Sequence, residues 1–458
     1  MAARRAKSTT LAAFTEPIPP PEERRANGKA IRNTVPRTSQ GVWEATGDRH
    51  DPIELIIESN RTRDQSLVPL RYERMLQSPF TFLRGSALVM AHDLARTPCA
   101  GIDVRLCGDA HLANFGMYAS PERRMVFDLN DFDETAQGPF EWDVKRLAAS
   151  IVVAGRDNGF DAIANRRTVI AAVASYCDWM DRYSAMTHLD VWYSKIDAAE
   201  IGQLLPSSMR RNAAQQLDKM TGKNHLRALE KLTTVIDGRH RIVDDPPIVA
   251  HIDDEIVLPR LEGALTQYRS TLAADRQVLF DHYRFVDFAR KVVGVGSVGT
   301  RCWMTLFQGP NGGPLFLQLK EARRSAPDAA LGRPAVKHEG RRVVEGQRML
   351  QATPDVLLGW CTDEVSGIQY YVRQMWDSKG SVDVATLGPM AVGVYAAFCG
   401  WALARAHART GDSAQITGYM GKSDRFPESI ADFAEAYADQ TERDHAAMVD
   451  AWQRGLLA

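Results

Sequence analysis

The sequence predicts an α+β chain, mostly helical, with one strand-rich block set inside it. Helix-period spacing of apolar residues covers most of 78–283 and returns from 389 to 458. Between Lys291 and Met375 the texture changes to short β-branched and aromatic runs separated by Gly-rich turns. Neither internal repeats nor low-complexity tracts interrupt the 458 residues. Length alone allows about three domains of roughly 150 residues each.

Taken in order, residues 1–40 carry eight Lys/Arg, three Glu and a proline cluster at Pro17, Pro19, Pro20 and Pro21, without an apolar secretory core. A flexible, solvated arm is expected there. Ser78 to Ala95 reads as helix, and Ile102–Cys107 and Met125–Leu129 as short strands. Trp142–Ala154 and Arg167–Tyr183 read as helices, and helical patterns continue to about Tyr283. Val384 to Ala404 runs 21 residues without a charge, long enough to span a bilayer. It holds Gly388, Pro389, Gly393 and Gly400, however, and continues directly into Arg405, His407 and Arg409. It is expected to be a buried helix starting near Pro389, so no membrane span is predicted.

Composition narrows the function classes. Lys plus Arg is 56 against 57 Asp plus Glu, a net charge of −1, which argues against a general nucleic-acid binder. Cys99, Cys107, Cys177, Cys302, Cys361 and Cys399 form no Cys-x-x-Cys pair. Free thiols in a reducing cytosol are expected, and with them a cytoplasmic location. The histidines show no close ligand spacing.

The strand-rich block carries the first chemical signal. Gly294-Val295-Gly296-Ser297-Val298-Gly299 is a G-x-G-x-x-G, a pattern shared by dinucleotide-binding turns and kinase phosphate-covering loops. A dinucleotide turn must open a helix. Here Thr300–Phe307 is β-like, Gln308–Pro314 reads as a tight turn, and Leu315–Lys320 is a second strand ending in lysine. Glycine loop, strand, turn, strand, Lys is the kinase arrangement, in which backbone amides close over phosphates and the Lys reaches them. Gly294, Gly296, Ser297, Gly299 and Lys320 are therefore the expected nucleotide contacts. Glu345, on a helical stretch over 341–352, is the expected partner of Lys320, with Glu339 as the fallback. The strand Gln369–Met375 would lead to a hinge.

A second signal lies N-terminal. In Cys107-Gly108-Asp109-Ala110-His111-Leu112-Ala113-Asn114 the Asp and Asn are separated as in the kinase catalytic loop. Asp109 would orient an acceptor hydroxyl and Asn114 would help hold Mg2+. The G-D-x-H-x-x-N form resembles the aminoglycoside and choline kinase branch. Next, Phe127-Asp128-Leu129-Asn130-Asp131-Phe132-Asp133-Glu134 resembles the strand and Asp-Phe-Gly of kinases. Asp131 is the first choice of metal ligand and Asp128 the second. Four acids this close repel unless a cation or donors relieve them, and Mg2+ suits such carboxylates. In small-molecule kinases a segment similar to Trp142-Asp143 carries a buried Asp that hydrogen-bonds the catalytic-loop backbone, so Asp143 is expected to support structure.

The motif order is inverted, since the catalytic loop precedes the glycine loop. Circular permutation would explain this, because it leaves contacts intact. The chain also resembles, over nearly its whole length, a bacterial family catalogued as domain of unknown function 2252. The stretches that carry the resemblance are SPFTFLRGSA (78–87), LCGDAHLANFG (106–116), FDLNDFDET (127–135), KVVGVGSVGTRC (291–302), FLQLKEA (316–322), VVEGQRMLQ (343–351) and YVRQM (371–375). The resemblance implies a two-lobed protein-kinase-like fold in permuted order. A flexible arm (1–40) would precede a helical catalytic lobe (41–284), a small antiparallel nucleotide lobe (285–376) and helices completing the large lobe (377–458). It implies an ATP- and Mg2+-dependent phosphotransferase acting on an unidentified hydroxyl acceptor. An AMP transferase on the same fold, or a nucleotide-binding regulator without catalysis, is the alternative. No motif spells out the acceptor or an oligomeric state.

Overall fold

A computed structural model describes residues 15, 17–221, 225–252, 254–292, 294–375 and 380–457 of the chain. Residues 1–14 and 16 of the expected arm, Val293 of the glycine run, and the hinge expected at 376–379 lie outside the described residues.

From Pro17 onward the described residues include α1 (Pro21–Ile31), α2 (Pro52–Asn60), α3 (Val68–Met75) and α4 (Pro79–Gly85). Strands β1 (Asp103–Leu106), β2 (Phe115–Ala119), β3 (Met125–Leu129) and β4 (Ala136–Pro139) follow, then the long helices α5 (Glu141–Asp157) and α6 (Ala162–Ser184). Next come α7 (His225–Leu232), β5 (Val249–Ala250) and α8 (Asp254–Thr271), then β6 (Arg284–Lys291), β7 (Cys302–Gln308) and β8 (Pro314–Glu321). The chain closes with α9 (Glu339–Leu350), β9 (Gly359–Thr362), β10 (Gln369–Gln374), α10 (Pro389–Thr410), α11 (Ser413–Met420) and α12 (Arg425–Gln453). The architecture is mixed α+β with small antiparallel sheets.

The largest core packs α5, α6, α10 and α12 around β1 to β4. The uncharged stretch in α10 is explained by this position. A Cβ at Gly400 would collide with the Ala172 backbone of α6, and Trp179 stacks on Trp401 with ring centroids 3.9 Å apart. Small residues let the two helices approach closely. Among the described residues, no helix is long and apolar enough to cross a membrane.

The second unit is a six-stranded antiparallel sheet in the order β9-β10-β8-β7-β6-β5. Alternation along a strand sends neighbouring side chains to opposite faces. In β8, Leu315, Leu317 and Leu319 join the core under α8, which leaves Phe316, Gln318 and Lys320 on the other face. Lys320 is thus aimed at the helical body by its register.

Two boundaries differ from the sequence expectation. Residues 17–41 do not form a free arm. α1 starts with proline and acids in its first turn and ends with Lys29, all favourable to a helix. It crosses α11 at Gly28 and Gly418, where a Cβ on either would strike the partner backbone. Arg24 pairs with Asp412 at 2.9 Å and Arg25 with Asp181 at 2.9 Å. Such docking leaves no apolar stripe to read. The sheet unit also reaches back before residue 285. β5 pairs with β6, and α7 buries Ala228 against Phe316 in a core on the other face.

Candidate functional site

The catalytic-loop motif lies between β1 and β2 and is held from below by α5. Asp143, in the first turn of α5, accepts hydrogen bonds from the Cys107 and Gly108 amides at 2.6 and 2.9 Å and meets His407 Nε2 at 3.2 Å. That matches the supporting role implied for it. Gly108 adopts φ +81°, and a Cβ there would run into the Glu134 carbonyl, so only glycine fits.

Asp109 is fixed from one side. The Arg146 Nε and Nη2 groups donate to its Oδ1 at 3.0 and 2.7 Å, and Arg146 also donates to the Leu83 carbonyl. His111 Nε2 stands 3.6 Å from Asp109 Oδ2. Burial pushes the His111 pKa down to about 4, against the opposing pull of Asp109.

Asn114 ties this loop to the next. Its Nδ2 donates to the Asp109 and Asp131 carbonyls at 2.9 and 3.1 Å, and its Oδ1 accepts from the Asp131 amide at 2.7 Å. The oxygen proposed for metal holding is therefore already bonded to the loop, which makes Asn114 a positioning residue in this structure.

Lys320 reaches this junction from β8. Its ammonium, with a side chain 2% exposed, forms ion pairs with Asp131 (3.5 Å) and with Asp133. Burial opposes its charge, but Asp131 and Asp133 together raise its pKa well above the usual lysine value. The guanidinium of Arg373 lies beside it, donating to Gln318 Oε1 at 2.9 Å and to the Asn130 carbonyl at 3.3 Å. Residues 189 positions apart in the chain thus meet in one ion pair.

Three sequence expectations are corrected here. Glu345 does not pair with Lys320: its carboxylate bonds Arg341 at 2.7 Å on the solvent side of α9. Glu339 pairs with Arg342. The α9 face turned to the loop is built by Gly346, against Thr135, and by Arg342, which donates to the Asp133, Thr135 and Arg323 carbonyls. Asp133 supplies the carboxylate that Glu345 was expected to supply. Asp133 stands in the sequence as the acid two places after Asp131. Asp128 is the third correction. It points into the core, 1% exposed, and accepts from Arg405 Nη2 at 2.6 Å. It stands as half of a buried ion pair.

The acidic run therefore does not depend on a metal to relieve its repulsion. Asp128 has Arg405, Asp131 and Asp133 have Lys320, and Glu134 Oε2 accepts from the Ala326 amide at 2.6 Å. Among the described residues no group of three or more His, Cys, Asp or Glu is arranged to hold a metal ion. Two carboxylates still fit Mg2+, which completes its shell with water and phosphate oxygens. Asp131 is partly exposed to the cavity, and Asp133 Oδ1 is buried without a hydrogen-bond partner. Burial, then the charge of Asp131, raises the Asp133 pKa.

A cavity of about 740 Å³ lies between the sheet and the helical body. Asp109, Asn114, Asp131 and Asp133 form its floor, and Gly294, Gly296 and Ser297 lie along another wall. The glycine run is a series of turns, with φ +65° at Gly294 and +82° at Gly299. It is anchored on the N-terminal helices. The Gly299 carbonyl accepts from the Asp64 amide at 2.8 Å, the Val298 carbonyl from Arg63 at 2.7 Å, and the Gly294 carbonyl from Arg74.

A family model described as "Uncharacterized protein conserved in bacteria (DUF2252)" matches residues 63–451. The chain belongs to this family. The match takes in every site residue above, from Arg63 to Arg405, and leaves α1 and α2 outside it. No curated protein and no solved structure matches the chain.

Proposed function

We propose that this family member is an ATP- and Mg2+-dependent phosphotransferase with a circularly permuted, two-lobed kinase-like fold, acting on a small-molecule hydroxyl acceptor. The observation that carries this reading is the ion pair of buried Lys320 with Asp131 and Asp133, two acids that line the same cavity as Asp109, Gly294 and Gly296. Nucleotide would enter between the sheet and the helical body, with its phosphates toward Lys320 and the amides of 294–299. Magnesium would be held by Asp131 with Asp133 and would neutralise charge on the phosphates. Asp109, oriented by Arg146, would take the acceptor hydroxyl. Such a site accelerates transfer by positioning and charge neutralisation.

Purified protein incubated with Mg2+ and ATP labelled at the α or γ phosphate tests the reading. Label transferred only from the γ position supports phosphoryl transfer, and label from the α position means AMP transfer. An ATP-induced thermal shift without label transfer means a regulator. No thermal shift sinks all three. Asp109→Ala is expected to cut transfer by about 10²–10⁴-fold while keeping the ATP shift. Lys320→Ala is expected to lose the ATP shift. If both behave as wild type, the assignment of these residues is wrong.

A further inference from the structure

The cavity has a third wall, which the proposed chemistry does not use. Arg63, between α2 and α3, Arg71 on α3, Arg84 on α4 and Arg323 after β8 all line it. Among the described residues none of the four forms an ion pair with a carboxylate. Arg71, 1% exposed, spends Nη1 on Asn60 Oδ1 (2.6 Å) and Nη2 on the Gly85 carbonyl (2.7 Å). Its Nε is buried with no partner, and so is Nε of Arg84. Arg63 bonds only the carbonyls of Ser59 and Val298. Glu134 and Glu321 lie near enough to Arg63 to offset it in part. Both are occupied elsewhere, Glu134 by the Ala326 amide and Glu321 by Arg301 at 3.2 Å.

Burying like charges beside one another is costly unless something neutralises them. Here burial, then the charges of Arg71 and Arg323, press down on Arg63, and burial, with the charge of Arg323, pulls Arg71 down to about 10. Arg84 and Arg323 line the cavity with terminal nitrogens that make no hydrogen bond among the described residues, and such guanidinium groups match a phosphate or similar oxyanion, which takes several charge-assisted bonds at once. The glycine run borders this wall, where a Cβ on Gly296 would lie 3.1 Å from the Arg84 carbonyl.

We infer that the wall of Arg63, Arg71, Arg84 and Arg323 is a phosphate-binding subsite, separate from the Lys320 pair, and that the acceptor is an alcohol that already carries a phosphate group. The second half of this statement rests on the phosphotransferase reading. The subsite itself does not, since it is measured without nucleotide.

The full-length protein is titrated with inorganic phosphate and pyrophosphate, following the melting temperature and the heat of binding, with sodium chloride at matched ionic strength as the control. Phosphate is expected to raise the melting temperature beyond the chloride control. Arg323→Gln and Arg84→Gln are each expected to weaken the apparent phosphate affinity by about tenfold or more. Arg323 makes no side-chain hydrogen bond among the described residues, so its variant is expected to fold even if Arg84→Gln does not. ATP and phosphate are then added together. Additive shifts support two subsites. Competition overturns the inference and gives the arginines to the nucleotide's own phosphates. A phosphate effect that chloride reproduces, or that both variants retain, also overturns it. If the phosphate shift is present and the ATP shift is absent, the subsite stands and the phosphotransferase reading falls.

Discussion

The two opposite walls of the cavity treat charge differently. On the catalytic-loop wall Asp109 has Arg146, and Asp131 and Asp133 share Lys320; buried behind it, Asp128 has Arg405, and Asp143 has two loop amides and His407. On the N-terminal wall the arginines meet carbonyls and one amide oxygen, and two keep an unbonded Nε. The first wall neutralises its acids within the protein and holds its loops in one geometry. The second is left electrically incomplete, so a ligand can complete it. Preorganisation and unspent charge are separate jobs, and this fold assigns them to separate elements.

The most severe test of that contrast is on stability. Asp128→Ala leaves Arg405, 0% exposed, without a counter-charge and frees the Ala352 amide. It is expected to cost about 3–5 kcal/mol, the usual penalty for breaking a buried pair from one side. Arg323→Gln on the other wall is expected to change stability by no more than about 0.5 kcal/mol. Urea midpoints of the two variants check this. Equal losses would mean that the arginine wall is structural as well.

A smaller effect concerns pH. His111 is buried on the catalytic-loop wall, with Nδ1 unbonded. Unfolded, it titrates near 6.5, whereas in the fold burial depresses it to about 4. Between these values the unfolded chain binds a proton that the folded one refuses. The contribution of the neutral ring is therefore complete above pH 6.5 and is lost as pH falls toward 4. A shift of that size corresponds to about 3 kcal/mol at most. Wild type should lose up to that much more stability than His111→Gln between pH 7 and pH 4, measured by urea unfolding at each pH. Parallel curves for the two proteins would show that the ring does not titrate this way.

How far the sequence revealed this site depends on the kind of signal. The loop at 107–116, the glycine run and Lys320 were legible because spacing and residue type encode them locally. The buried helix at Pro389 was legible from its glycines and the charges that follow it. The docking of α1 was not, because two glycines and arginine–aspartate pairs leave no hydrophobic period. Asp128 was misread as a metal ligand because its partner, Arg405, lies 277 residues away, and no local pattern reports such a pair. The arginine wall has no contiguous motif, because Arg63, Arg71, Arg84 and Arg323 gather only when α2, α3, α4 and β8 fold together.

The smallest predicted effect is also the sharpest check on how Lys320 is held. Kinase logic assigns its partner to Glu345, and the structure assigns it to Asp133 and Asp131. The Arg341–Glu345 pair is solvent-facing, with side chains 59% and 37% exposed, and pairs of this i,i+4 type contribute about 0.2–0.5 kcal/mol on a helix surface. Glu345→Ala should therefore change the urea midpoint by less than about 0.5 kcal/mol and leave the ATP-induced thermal shift within about twofold of wild type. Asp133→Asn should cut label transfer by about tenfold or more, as expected for a lost charge-assisted contact. A large loss with Glu345→Ala would reverse the assignment, and the geometry shows what that would require. Residue 345 is set about 60–100° around the helix from 342 and 346, so α9 would have to rotate to bring Glu345 to Lys320. That rotation would pull Arg342 away from the carbonyls of Asp133, Thr135 and Arg323. A second variant separates the cases: if Arg342→Met mimics Glu345→Ala, α9 switches between two positions, and if only Arg342→Met is damaging, α9 is a fixed brace.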